Sequence, residues 1–194
     1  MKIIGITGGI ASGKSTVSSY LEEKYKAYIF DADKEAKALL QSSFVKNKIL
    51  KSFPNLKDFS NASIAQEVFK NSESQTKINN IIHPIIGDLI LERINEKKDL
   101  HNIFIIDAAL IIESGIFEKH QKSGAKLILV IADKELRLKR ALHRANLDQK
   151  TIKDRIRLQM KDDKKIGYSD YVVENNSSKF ELFRKIDQII EKIL

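Results

Sequence analysis

Residues Gly8-Gly9-Ile10-Ala11-Ser12-Gly13-Lys14-Ser15 carry the spacing G-x-x-x-x-G-K-[ST]. Glycines at these positions let successive backbone N–H groups curl around phosphate oxygens, and the helix N-terminus that should follow adds partial positive charge. Lys14 supplies a point charge to the β and γ phosphates of a nucleoside triphosphate, and Ser15 offers a hydroxyl oxygen to Mg²⁺, the hard cation that bridges them. Gly8, Gly9, Ala11, Ser12, Gly13, Lys14, Ser15 and Thr16 are therefore candidate ATP-binding residues. Such a loop specifies triphosphate binding but not the reaction, because switches, motors and kinases share it.

Phosphoryl transfer to a hydroxyl also needs a carboxylate to receive the proton and cations over the developing charge. Asp31-Ala32-Asp33 is a candidate. In a strand, alternate residues share a face, so one carboxylate could take the proton while the other, or Asp107, orders the Mg²⁺ shell through water. The competing reading is that Asp31 or Asp33 caps the helix beginning near Lys34. Arg137, Arg140 and Arg144 recur at three, four and seven spacing, with Arg155 and Arg157 further on. They are either phosphate-binding lid arginines around a hinged tip at 145–149 or one face of a solvated basic helix. His83, before Pro84, is either a satisfied core histidine or an acceptor contact.

These side chains need elements to hold them. Short apolar, β-branched runs at 3–7, 28–30, 103–106, 127–131 and 171–173 read as strands, each ending near a glycine or polar residue. Helical periodicity at 14–24, 135–142 and 180–194 alternates with them, which predicts an α/β fold with a five-stranded parallel sheet and helices on both faces. Ligands of such sheets sit outside the carboxyl ends of the strands, so Gly8, Asp31, Asp33, Asp107 and Asn175 should converge. From 34 to 100 the strand signals vanish. Ile64, Val68 and Phe69, then Ile78, Ile81, Ile82, Ile85, Ile86 and Leu89, read as helix, with a break expected at Pro84 and His83 extended at the junction. The expected organisation is one domain: a core of 1–33, 101–140 and 165–194, an acceptor-binding helical insertion at 34–100, and a lid at 141–164.

With 194 residues, 42% hydrophobic and 31% charged, the chain can bury a core, and having no cysteine it has no disulfide and no thiolate metal site. Its first residues are too short an apolar run for a signal peptide or membrane span, so the cytoplasm is the expected location and no membrane partner is expected. A net charge of +8 favours polyanions, either phosphorylated small molecules or nucleic acid. No aromatic stacking cluster accompanies the basic segments, which argues against nucleic acid. A guanine-reading Asn-Lys-x-Asp is missing, since Asn47-Lys48 is followed by Ile49-Leu50, and so is the transporter signature Leu-Ser-Gly-Gly. A small-molecule kinase remains, with a nucleoside monophosphate kinase and a nucleic-acid-stimulated ATPase as alternatives.

Taken together, the segment from Gly5 to Ser15, Asp31-Ala32-Asp33, Ile81-Ile82-His83-Pro84, Ile106-Asp107-Ala108-Ala109-Leu110-Ile111-Ile112-Glu113, Arg140 with Arg144, Gln159-Met160 and Asn175-Asn176 resemble the dephospho-coenzyme A kinase family. The resemblance runs from residue 1 to about residue 178. It implies a nucleoside-monophosphate-kinase-like P-loop fold and transfer from ATP to the ribose 3′-hydroxyl of dephospho-coenzyme A, the last step of coenzyme A synthesis. By the same resemblance Asp33 is the general base, Arg140 and Arg144 face phosphate, and Asn175 marks the loop that holds adenine. The sequence departs from the family's usual pattern at Ala11 and Ser177, where glycine is usual, and at Ala109, where proline is usual. Ala11 leads to the expectation of a loop position with negative φ.

Overall fold

The computed structural model describes residues 1–56, 58–60, 63–64, 67, 71–144, 152–153, 156–157 and 159–194. The positions 68, 69, 145–149 and 155 singled out in the sequence lie outside these residues. The apolar runs form strands β1 (Lys2–Thr7), β2 (Tyr28–Asp31), β3 (Ile103–Asp107), β4 (Lys126–Ile131) and β5 (Tyr171–Glu174). They pair in parallel in the order β2-β3-β1-β4-β5, so β3, β1 and β4 are flanked on both sides.

Period-two alternation divides the buried side chains between two cores. Ile4 and Ile6 of β1 with Ile103 and Ile105 of β3 pack against helices α1 (Lys14–Tyr25) and, late in the chain, Lys179–Ile193. Phe104 and Ile106 of β3 face the other way, toward the helices inserted between β2 and β3. Those are α2 (Ala32–Leu39), α3 (Ser43–Ser52) and α4 (Ser72–Lys97), and among the described residues this stretch holds no strand. After β3 come α5 (Glu118–Lys122), α6 (Lys134–Arg144), α7 (Asp162–Ile166) and α8 (Lys179–Ile193). Helices thus cover both faces, as the strand and helix order requires.

Two expectations fail locally. α4 runs unbroken through Pro84, and His83 is helical rather than extended. Ile78, Ile82, Ile86 and Ile90 form one stripe at four-residue spacing, with exposures of 7%, 6%, 2% and 0%. Burying four such side chains contributes about 1.5–3 kcal/mol each, which outweighs the roughly 3 kcal/mol cost of an interior proline. The second failure concerns Asp31-Ala32-Asp33: β2 ends at Asp31 and α2 starts at Ala32, so the alternation of a strand does not reach Asp33.

Candidate active site

The loop from Gly8 to Gly13 joins β1 to α1 at the carboxyl edge of the sheet. A Cβ on Gly8 would land on Ser12 Oγ and the Val130 carbonyl, so only glycine passes there. Gly13, at φ 109° and against the Asn175 side chain, turns the chain into the helix. Neighbouring elements pin the loop. Arg137 Nε donates to the Ile10 carbonyl at 2.9 Å, and the Ile10 N–H donates to Gln159 Oε1 at 3.2 Å. Asn175 Nδ2 donates to the Ser12 carbonyl at 2.8 Å. Ala11, between these two fixed peptides, has φ 58°, contrary to the negative φ expected of it. A β-carbon in that region costs about 1–2 kcal/mol, a strain the bonds on either side maintain. Ser15 is exposed at the start of α1, Thr16 is half-buried behind it, and Ser12 Oγ is buried without a partner among the described residues.

Lys14 reaches across to the strand ends. Its Nζ bonds Asp107 Oδ1 and lies 3.5 Å from Asp33 Oδ2, while Ser18 Oγ donates to Asp107 Oδ2 at 2.6 Å. Burial lowers the Lys14 pKa, but the Asp107, Asp33 and Asp31 carboxylates outweigh it and hold the ammonium above its ordinary value. Burial pushes the Asp107 carboxyl up, against the pull of Lys14 and Ser18. Asp31 does something different: its Oδ1 accepts the Lys34 N–H at 2.9 Å as the N-cap of α2. Asp33, in the first turn of that helix, instead faces Lys14 and accepts the Ala109 N–H at 3.3 Å. A proline at 109 would have no N–H to make that contact. Of the two adjacent carboxylates, Asp31 is therefore the cap and Asp33 is left facing Lys14.

On the β4–β5 side, Arg137 is only 6% exposed and is committed to Ile10 and, through Nη1, to Asp162 Oδ2 at 2.9 Å. It props the loop rather than facing open space. Arg140 is half-buried; its Nη2 donates to the Asn175 carbonyl at 3.1 Å while Nη1 is buried with no partner among the described residues. Arg144 closes α6, but its side chain is not among those described, and Arg155 lies outside the described residues altogether. Asn176 makes a two-point contact with Asp133, 2.9 Å each way, which fastens the loop after β5. His83 is not brought to Lys14 and Asp33. It is half-buried near Glu113; burial lowers its pKa against the pull of that carboxylate.

Sequence reasoning missed the supports of this site. Arg137 was visible in the arginine spacing but not as a loop prop. Gln159 and Glu113 were visible only within the quoted resemblance. Lys165, with no exposure at all, sits in a charged run that reads as solvated surface.

A lysine-bearing glycine loop on the central strand, facing a carboxylate that the neighbouring helix does not use as a cap, is the arrangement of a P-loop kinase. The comparisons narrow this class. The dephospho-CoA kinase family model matches residues 2–181, and the chain belongs to that family. It is 39% identical to the dephospho-CoA kinase of Fusobacterium nucleatum, with 98% of each chain covered. It is 30% identical to that of Saccharomyces cerevisiae, with 100% of this chain and 83% of the other covered. Its structure superposes on the dephospho-CoA kinase of Campylobacter jejuni with TM-score 0.66 at 29% identity, covering 100% of this chain and 98% of that one. A shikimate kinase of Acinetobacter baumannii, at TM-score 0.61 and 17% identity over 99% of this chain and 94% of that one, shares the fold.

Proposed function

We propose that this kinase transfers the γ phosphate of ATP to the ribose 3′-hydroxyl of dephospho-CoA, with Asp33 taking the hydroxyl proton. The observation that carries the assignment is the division of labour at the β2–α2 junction: Asp31 satisfies the helix cap, which leaves Asp33 turned toward the phosphate-binding lysine. The loop amides and Lys14 hold the β and γ phosphates in line with the acceptor oxygen. As the phosphoryl group leaves, Lys14 exchanges carboxylate partners for phosphate oxygens, and Arg140, whose Nη1 has no partner among the described residues, adds positive charge. Arg144 at the end of α6 extends the same role. Asn175, behind Gly13, supports the adenine side of the nucleotide, and His83 lies on the acceptor side. The helices of 34–100 form the acceptor-binding insertion and 141–164 the lid.

Mg²⁺ fits this chain through one hydroxyl. Ser15 offers an exposed oxygen at the start of α1, whereas Asp107 is occupied by Lys14 and Ser18, and Asp31 by the cap. Among the described residues no cluster of three acidic or histidine side chains could hold the ion without phosphate. Ser15 would hold Mg²⁺ that arrives with ATP, and the ion would supply positive charge to offset that of the triphosphate. No helix among the described residues is long and apolar enough to cross a membrane, and the enzyme acts in the cytoplasm in this reading.

ATP consumption by the purified protein with dephospho-CoA and with each common nucleoside monophosphate tests the acceptor. Turnover with dephospho-CoA alone is expected. Turnover only with a monophosphate would overturn the assignment, and stimulation by RNA or DNA without either acceptor would point to an ATPase.

A further inference from the structure

The loop between β3 and α5 carries a carboxylate that the transfer reaction does not use. Glu113 Oε1 accepts the Met160 N–H at 3.0 Å and pairs with Lys165 Nζ at 3.0 Å. Lys165 is completely buried, and its Nζ also donates to the Ala109 carbonyl at 3.0 Å. The amide of that same Ala109 donates to Asp33. A continuous chain of polar contacts therefore runs from the acceptor carboxylate Asp33 through Ala109 and Lys165 to Glu113 and on to Met160.

The second oxygen of Glu113 breaks the pattern. Oε2 is buried and accepts no hydrogen bond among the described residues, although His83 on α4 lies near enough to feel the charge of this carboxylate. A buried oxygen left in this state forfeits a hydrogen bond that water would have supplied, and native proteins keep few such atoms. Lys165 already balances the charge, so the missing partner is an uncharged N–H or O–H donor rather than a second cation. The position selects the source. Glu113 is three contacts from Asp33, by way of Ala109 and Lys165, and lies near His83 on the helical insertion, whereas its link to the nucleotide loop runs only through the main chain of Met160 to Gln159, which accepts the Ile10 N–H.

We propose that Glu113 is an acceptor-binding residue whose free Oε2 receives a hydrogen bond from an uncharged donor on the nucleoside end of the acceptor, beside His83. Lys165 and the Met160 amide are positioning groups that fix this carboxylate. The proposal rests on the reading of dephospho-CoA as acceptor and assigns the residue that recognises it.

Two variants separate recognition from a plain counter-ion role. Glu113→Gln removes the charge and puts a donor where an acceptor is needed. Glu113→Asp keeps the charge opposite buried Lys165, so it preserves the fold, but draws the free oxygen back by one methylene. Steady-state KM for dephospho-CoA and for ATP, with melting temperature, is measured for both. Recognition predicts an acceptor KM raised about tenfold or more in both variants and an ATP KM within about twofold of wild type. A Glu113→Asp variant with wild-type acceptor KM overturns the proposal, because a counter-ion role alone is rescued by the conserved charge. A wild-type protein that consumes no ATP with dephospho-CoA would instead overturn the functional reading, and this assignment with it.

Discussion

The two banks of the crevice are built in different ways. On the nucleotide bank, one unbroken stretch from Gly8 to Thr16 provides the cradle, and Arg137, Gln159 and Asn175 fix its peptides from outside. On the bank proposed for the acceptor, Asp33, Ala109, Glu113 and Lys165 come from separate segments and are joined in one chain of contacts, with His83 near Glu113. The contrast has a physical basis. Phosphate is the same group in every substrate of the superfamily and can be met by main-chain amides, whereas an acceptor must be told apart by side chains converging from several directions.

Lys14 joins the banks, and removing it should have the largest effect. Lys14→Ala should lower kcat by about 10³-fold or more, since the cation on the transferring phosphate is lost. It also strands the buried Asp107 carboxylate, at a cost to stability of about 3 kcal/mol. Adding Asp107→Asn should restore most of the melting temperature and none of the activity. An unchanged melting temperature in Lys14→Ala would show that the two banks are not tied together there.

Arg140 tests whether the nucleotide bank contributes mainly during transfer. Arg140→Ala should reduce kcat by about 10²-fold while the acceptor KM moves far less. A raised acceptor KM at unchanged kcat would move Arg140 to uniform binding. A smaller effect comes from the strain in the cradle. Ala11→Gly relieves the left-handed conformation at φ 58° and should stabilise the protein by about 0.5–1 kcal/mol, read as a higher denaturation midpoint. A destabilised variant would mean that the Ala11 methyl group makes packing contacts worth more than the strain.

The smallest effect belongs to the acceptor bank. The His83 pKa is held below its ordinary value of 6.5 by burial, so between those two pKa values the unfolded chain binds more protons than the folded one. Stability should therefore fall as pH drops below about 6.5, with His120, shifted down for the same reason, adding to the slope. His83→Gln should flatten the dependence of unfolding free energy on pH; an identical slope would place the proton uptake elsewhere.

The same contrast decides what could be read from the sequence. The cradle was legible because its residues are contiguous and follow a strand run, and the sheet because its strands carry alternation or short apolar runs. Pro84 misled because a local steric rule competes with a stripe of four buried isoleucines, and the stripe wins. Ala11 misled because its backbone is set by Arg137, Gln159 and Asn175, far away in sequence. Asp31 and Asp33 were both plausible as cap and as base; only the strand end at Asp31 separates them. Glu113 and Lys165 gave no periodic signal, since one ion pair between a loop and a short helix distant in sequence leaves no pattern in either.

The central claim is that Asp33 receives the acceptor proton while Asp31 caps α2. Measuring kcat and ATP affinity for Asp33→Asn and Asp31→Asn tests it most directly, because asparagine caps nearly as well as aspartate but accepts no proton. Asp33→Asn should lose at least about 10²-fold in kcat with ATP affinity nearly unchanged, and Asp31→Asn should stay close to wild type. An active Asp33→Asn enzyme alongside an inactive Asp31→Asn enzyme would contradict the assignment.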